Sequence, residues 1–506
     1  EFWDVNGIGG TYLYWGGTDS TFSSTFVPFS NNGYGNAIWH GVVAAGDLNG
    51  DGFSDISVAR YGGSSYAPTA YILYGSSAGI STNNMDILTR HSQSSNGNFS
   101  VEGSEIDPFT VPETNVGRYG VGLAGDVNGD GFSDILVGDA FTDTILGRGQ
   151  GVLVYLGGAA GIQTTASDTI WIGFYSAQWG FCLEPGGDIN GDGYSDVIVG
   201  VPDDSAQTAW VVGAAYLFYG HATGIDTTHP KEMVRSNHAG ARMGTSIAPA
   251  GDLNNDGYGD VVVSARQYNN GGAGNQGAAF VYYGADTGLV WSAPTILTGT
   301  EAGAERGYRV AGAGDVNGDG IGDLLVGARL FEDNGSEPDE GAVFVYLGDN
   351  GGVITNPVVR LDCDVAGAQF GFSVSSAGDV NGDGYADVIA GAWMYQGQGA
   401  AFLHLGSATG TSPSAAARLM CHQVNAEMGH SVATIGDINH DGFSDVAVSA
   451  RMYESDSSQI DEGAVFIYYG GPCGLDTVPA YVLEGNQTGA LFGQSVNSGG
   501  DFNGDG

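Results

Sequence analysis

The sequence predicts an all-β protein, a β-propeller of four-stranded antiparallel blades. Three observations predict it. A string of the form GD-x-N-x-DG-x-x-D, first met as GDLNGDGFSD at 46–55, recurs along the chain. Between its copies lie short runs rich in Val, Ile, Tyr and Phe, bounded by Gly, Asp and Asn; this is strand-and-turn punctuation. No helical period lies between those runs.

The interval comes first. Counted from the first aspartate, the copies begin at Asp47, Asp126, Asp188, Asp252, Asp315, Asp379, Asp437 and Asp501, spaced 79, 62, 64, 63, 64, 58 and 64 residues apart. A near-constant period of this length marks a repeat array. The one long interval holds residues 96–115, which have the composition of a surface loop.

The elements follow in a fixed order. Before the motif stands an aromatic-or-Met–Gly pair and a short apolar run, as in WGFCLEPGGD, MGTSIAPAGD, FGFSVSSAGD, MGHSVATIGD and FGQSVNSGGD. From the third repeat on, that glycine lies eight residues before the first aspartate (Gly180 to Asp188, Gly493 to Asp501); the first two repeats depart from the spacing. After the motif comes a second strand, such as DVVVSAR at 260 or DLLVGAR at 323. A third alternates, as in GAVFVYLG at 341 and GAVFIYYG at 463, and a fourth is short, as in YVLEG at 481. Four short strands per repeat describe one propeller blade. The small residues in strands two and three suit crowding near a central channel.

The motif itself is a metal loop. In the first copy Asp47, Asn49 and Asp51 occupy alternate positions 1, 3 and 5, Phe53 offers a carbonyl at position 7, and Asp55 closes the shell at position 9. The same places hold Asp126, Asn128, Asp130, Phe132 and Asp134; Asp188, Asn190, Asp192, Tyr194 and Asp196; and Asp252, Asn254, Asp256, Tyr258 and Asp260. They hold Asp315, Asn317, Asp319, Ile321 and Asp323; Asp379, Asn381, Asp383, Tyr385 and Asp387; and Asp437, Asn439, Asp441, Phe443 and Asp445. The eighth copy has Asp501, Asn503 and Asp505 and stops at Gly506, before its ninth position. All donors are oxygens, which suits a hard cation, and flexible high coordination suits Ca²⁺ better than Mg²⁺. Strands flank the loop where an EF-hand would have helices, and no Glu stands at position 12. Clustered carboxylates kept in every copy are costly as mere turns, so about seven to eight Ca²⁺ sites are expected. Position 4 is Gly except at Asn255 and His440, residue types that tolerate left-handed backbone.

The totals agree. The net charge is −43, with one lysine, Lys231, in 506 residues. Nucleic acid, which needs clustered Lys and Arg, is excluded as a partner. No run of about 18 apolar residues exists, so no membrane insertion is encoded in this segment. The four cysteines, Cys182, Cys363, Cys421 and Cys473, follow no metal spacing; one disulfide is conceivable and unassignable. The nine histidines fit no catalytic or metal motif.

A second constellation recurs in the turn between strands two and three. Arg266, Arg329 and Arg451 stand six residues past the last ligand, followed two later by Tyr268, Phe331 and Tyr453; the sixth repeat has Trp393 and Tyr395 there. If strands alternate in direction, these lie opposite the calcium loops. Arg and aromatics anchor interfaces. The structural alternative is that each Arg pairs with a neighbouring blade's acid, as in FEDNGSEPDE after Arg329.

These strings, FG…GD-N-GDG–D followed by VGA and G-V-Y-Y-G, resemble the FG-GAP repeat of integrin alpha-subunit β-propellers and of bacterial and fungal propellers built from it. The resemblance covers almost the whole chain. It implies seven blades and a ligand-binding face opposite the calcium loops. The chain's own length favours eight: eight motifs are present, TYLYWGG at 11–17 matches strand three, and eight periods of 64 approach 506 residues. One domain, 1–506, is expected, its last blade closed by N-terminal strands within 1–33 or by a neighbouring chain, with both ends cut from something longer. The expected function is an extracellular or cell-surface, calcium-binding adhesion propeller. It would bind a protein or glycan ligand, or copies of itself, and would carry no catalytic residues. The alternatives are a structural subunit of a surface layer or filament, and a polysaccharide-cleaving enzyme.

Overall fold

A computed structural model of the chain describes residues 9–15, 23–29, 38–61, 69–76, 85–88, 121–139, 151–171, 182–204, 211–227, 232–269, 271, 274–333, 338–455, 460–485 and 488–497. The described residues are all β apart from one 3₁₀ turn, Tyr395–Gly397. They form seven four-stranded sheets, each an antiparallel meander in chain order. The fifth is representative: Arg309–Gly314, Asp323–Ala328, Ala342–Tyr346 and Val359–Leu361. In the third sheet a small hairpin, Gly220–His221 with Gly224–Ile225, is inserted before the last strand. These are the predicted blades of a β-propeller.

The strand expected at 11–17 is Gly9–Trp15, paired antiparallel with Ser23–Phe29. This hairpin stands apart from the seven sheets. The eighth loop, with Asp501, Asn503 and Asp505, lies outside the described residues. The approach to it does not. Phe492 bridges Gly463 in parallel, as Met428 bridges Gly399 and Phe370 bridges Gly341. Residues 490–496 thus meet the seventh sheet as each inner strand meets the sheet before it.

The core sits between adjacent sheets. Second and third strands are buried along their whole length, for example Asp323–Ala328 and Ala342–Tyr346. One cluster joins Val262, Val281 and Leu297 of the fourth sheet to Leu324, Val326 and Phe344 of the fifth. A sheet buried on both faces needs no polar alternation, which explains the continuous apolar runs. Small residues in strand two have a specific use. A Cβ on Gly327 would come within 2.4 Å of the Gly371 carbonyl of the next sheet, so glycine there lets successive blades close up.

Candidate metal loops and the opposite face

Each loop is launched by a bulge. In all seven sheets the register slips one residue before the motif, and the glycine preceding the first aspartate pairs with the ninth-position aspartate, as Gly314 does with Asp323. The extra residue turns the chain out of the sheet and into the loop.

Inside the loop the side chains hold the backbone. In the fifth copy Asp315 Oδ1 accepts from the Gly318 and Asp319 N–H groups at 2.6 and 3.1 Å, and Oδ2 accepts from Gly320 at 2.7 Å. Asn317 Oδ1 accepts from Asp319 N–H, and Asp319 Oδ1 accepts from Ile321 N–H. The loops with Asn255 and His440 make the same bonds from positions 5, 6 and 7, and both residues adopt left-handed backbone with φ of 58° and 59°. The tolerance expected of these two residues holds.

Position 4 also faces the next blade. A Cβ on Gly129, Gly191, Gly318 or Gly382 would fall 2.6–2.8 Å from the ring of Tyr194, Tyr258, Tyr385 or Phe443, the seventh-position residue one repeat on. Where Asn255 replaces glycine, the next repeat carries Ile321 in place of the ring. The loops are further tied by backbone bonds, such as Ala386 N–H to the Asp315 carbonyl at 2.8 Å and Ser407 N–H to the Val316 carbonyl at 3.0 Å.

The ninth-position aspartate has a role that motif spacing did not reveal. Asp55, Asp134, Asp196, Asp260, Asp323, Asp387 and Asp445 are at most 1% exposed. One carboxylate oxygen of each accepts from the position-2 N–H at 2.8–3.0 Å. The other accepts, again at 2.8–3.0 Å, from the glycine that ends strand three: Gly75, Gly157, Gly220, Gly284, Gly348, Gly406 and Gly470. The recurrent final glycine of strings such as VFVYLG was the available signal. Burial pushes each of these carboxyls up to about 7, with the neighbouring loop aspartates adding to the rise and the two backbone bonds opposing it. Among the described residues no three His, Cys, Asp or Glu side chains form a ready-made metal cage. The loop carboxylates are turned onto backbone N–H groups, as those of Asp315, Asp319 and Asp323 are.

At the opposite, upper end the arginine–aromatic constellation is packed inward. Arg266, Tyr268, Phe331, Tyr395 and Arg451 are buried, and Arg329, Trp393 and Tyr453 are half-buried. Tyr268, Phe331, Tyr395 and Tyr453 meet Phe280, Phe344, Phe402 and Phe466 of strand three edge-on at 5.3–5.6 Å. Two of the three arginines pair with acids of their own repeat, while Arg266 is attracted by Glu305 of the next repeat. Arg329 Nε donates to Glu305 at 2.9 Å, and Arg451 Nε to Glu427 at 2.5 Å. Trp393 Nε1 donates to Gln369 at 3.2 Å in the same geometry. The FEDNGSEPDE segment supplies Asp333 to Arg360 instead. Glu305, Gln369 and Glu427 all have left-handed φ of 51–58°. Nothing in their local sequence announces that conformation. Arg329 also lies over Tyr308 at 4.3 Å, and Tyr308 packs on Phe372 at 5.4 Å, which packs on His430 at 5.1 Å. Cys182, Cys363, Cys421 and Cys473 are free thiols, so none of the four is joined in the disulfide the sequence left open.

Comparison with known proteins agrees with this geometry. The family model described as "FG-GAP repeat" matches residues 185–212, 243–282 and 306–346, and that of the "FG-GAP-like repeat" matches 379–448. Integrin alpha-4 of Xenopus laevis is 30% identical over 277 residues, 52% of this chain and 26% of that protein. Integrin alpha-5 of Xenopus laevis is 32% identical over 243 residues, covering 44% and 22%. Integrin alpha-PS5 of Drosophila melanogaster is 35% identical over 166 residues, covering 32% and 16%. The chain thus spans about a quarter or less of the length of these relatives.

Proposed function

We propose that this chain, an FG-GAP repeat protein of the integrin-alpha-like family, is a calcium-stapled adhesion propeller of the extracellular or cell-surface space. Its loops hold metal at one end; the opposite face binds a protein or glycan ligand, and no step of chemistry is assigned to it. Likeness to integrin alpha subunits supports the adhesive role. The single observation that carries the metal reading is the buried ninth-position aspartate, repeated seven times beside two further loop aspartates. In each loop the residues fit a hard divalent cation: positions 1, 3, 5 and 9 and the position-7 carbonyl present only oxygens. Bound there, the ion would supply positive charge beside the ninth-position carboxyl, which is otherwise pushed up to about 7. Residues 490–497 would start an eighth blade that the paired strands Gly9–Trp15 and Ser23–Phe29 would complete.

Calcium titrated calorimetrically into chelator-stripped protein should bind at about seven to eight sites and raise the melting temperature. Absence of binding heat together with an unchanged melting curve would remove the metal reading.

A further inference from the structure

A cavity of about 120 Å³ opens at the upper end, where successive inner strands begin. Arg309, Phe372, Ser373, His430, Ser431 and Gln494 line it. It lies at the far end of those strands from the metal loops and shares no residue with them.

The one charged group that lines it, Arg309, is a donor. Arg309 makes no ion pair or hydrogen bond among the described residues; Glu184, on Cys182–Gly187, attracts it from beyond ion-pair distance. In a chain with 14 Lys and Arg against 57 Asp and Glu, a half-buried guanidinium without a close carboxylate is a notable vacancy of charge. His430 is 4% exposed. The Gln494 backbone lies beside its ring, yet neither ring nitrogen meets a partner at hydrogen-bond geometry. A buried polar group left unmade costs about 1–3 kcal/mol, so it is normally retained for a reason. Ser431 Oγ accepts from Val496 N–H at 3.1 Å and keeps its own proton to donate. Ser373 Oγ donates to the Gly429 carbonyl, and Gln494 Oε1 accepts from Arg451, so both side chains are already held by the protein. Phe372 and Val432 supply buried apolar wall.

One guanidinium, two neutral donors and an apolar wall select a planar monoanion with a short hydrocarbon stem. Carboxylate matches the fork of an arginine; a phosphate dianion would ask for more positive charge than one arginine supplies. We propose that this pocket binds a carboxylate on a short aliphatic stem, with Arg309 as counter-ion and His430 and Ser431 as donors. The proposal deepens the ligand-binding reading of the upper face and rests on it. The carboxylate can come from a free small acid or from an acidic side chain of a partner.

The test is saturation-transfer NMR on calcium-loaded chain with propionate, propionamide, and glutamate blocked at both ends as N-acetyl amide. Propionate should bind, with propionamide about tenfold weaker or worse. Arg309→Gln should weaken propionate about tenfold, the scale of one charge-assisted contact. Ser495→Glu, at an exposed position of the rim, should do the same by placing a competing carboxylate there, and it is the control should Arg309→Gln fold poorly. Binding of blocked glutamate as tight as propionate assigns the site to an acidic side chain; binding of propionate alone assigns it to a free acid. Equal binding of propionate and propionamide, no binding of either, or indifference to both substitutions overturns the proposal. Those results leave the calcium heats untouched, whereas missing calcium heats would overturn the scaffold reading instead.

Discussion

Gly382 occupies position 4 of the sixth loop with φ of 74°, and a methyl group there would stand 2.8 Å from the Phe443 ring of the next blade. Gly382→Ala therefore meets two penalties, left-handed backbone and overpacking, each of about 1–2 kcal/mol. The variant should melt clearly below wild type, and adding Phe443→Leu should recover part of the loss, since only the second penalty involves the ring. Identical melting of the single and double variants would show that the ring contact contributes nothing. His430 offers a second test at this scale. Burial, with Arg451 and Arg309 adding to it, pushes the imidazole down to about 3. An unfolded histidine titrates near 6.5, so below that pH the unfolded chain binds a proton that the folded chain refuses, and stability falls as pH falls. The slope is about 1.4 kcal/mol per pH unit once pH is well below 6.5. His430→Phe keeps an aromatic ring against Phe372 and removes the titration. In saturating calcium the variant should gain on wild type by about 1.4 kcal/mol between pH 7.5 and 5.5. A denaturant-melt difference that stays flat across that range would contradict it.

The four strands of a blade were legible because each is a short apolar run ended by turn residues, and the loops because their motif recurs at a near-constant interval. What joins those elements was not legible. Asp323 bonds Gly348, 25 residues away, and no local pattern records that link. Likewise the pairing of Arg329 with Glu305 needs a left-handed residue that sequence does not mark. The aromatic residues beside the arginines read as candidate ligand anchors, yet Tyr268, Phe331 and Tyr395 are buried against strand three. Sequence gives residue type and spacing; it does not say which side of a turn packs inward. The Asp323 link makes a prediction for the element. Asp323→Asn would set an amide N–H against either the Val316 or the Gly348 N–H, leaving a buried donor unmade at about 1–3 kcal/mol. Hydrogen exchange should accelerate at Val316 and Gly348 before it does in strands of distant blades. Unchanged protection at both amides would show that the carboxylate does not hold the end of strand three.

At the scale of the molecule, the question is how so much negative charge is held together. The chain carries −43, and divalent ions at the seven described loops would bring it to about −29. Those loops also carry the bonds between blades, so charge repulsion and blade separation act at the same end. Two consequences can be separated by experiment. Metal stabilises by mass action, about 2.7 kcal/mol for each site at one hundred times its Kd when only the folded state binds. Monovalent salt stabilises by screening, over a Debye length that shrinks from about 30 Å at 0.01 M to about 10 Å at 0.1 M. In chelator the melting temperature should therefore climb steeply between 0.01 and 0.1 M sodium chloride, because loop carboxylates within one blade and between blades repel inside that distance. In saturating calcium the same salt step should move it far less, since the closest repulsions are already cancelled by bound ions. Equal salt slopes in the two media would mean that the loops are not where the charge problem lies. The aspartates would then be turn residues, held by their backbone bonds alone.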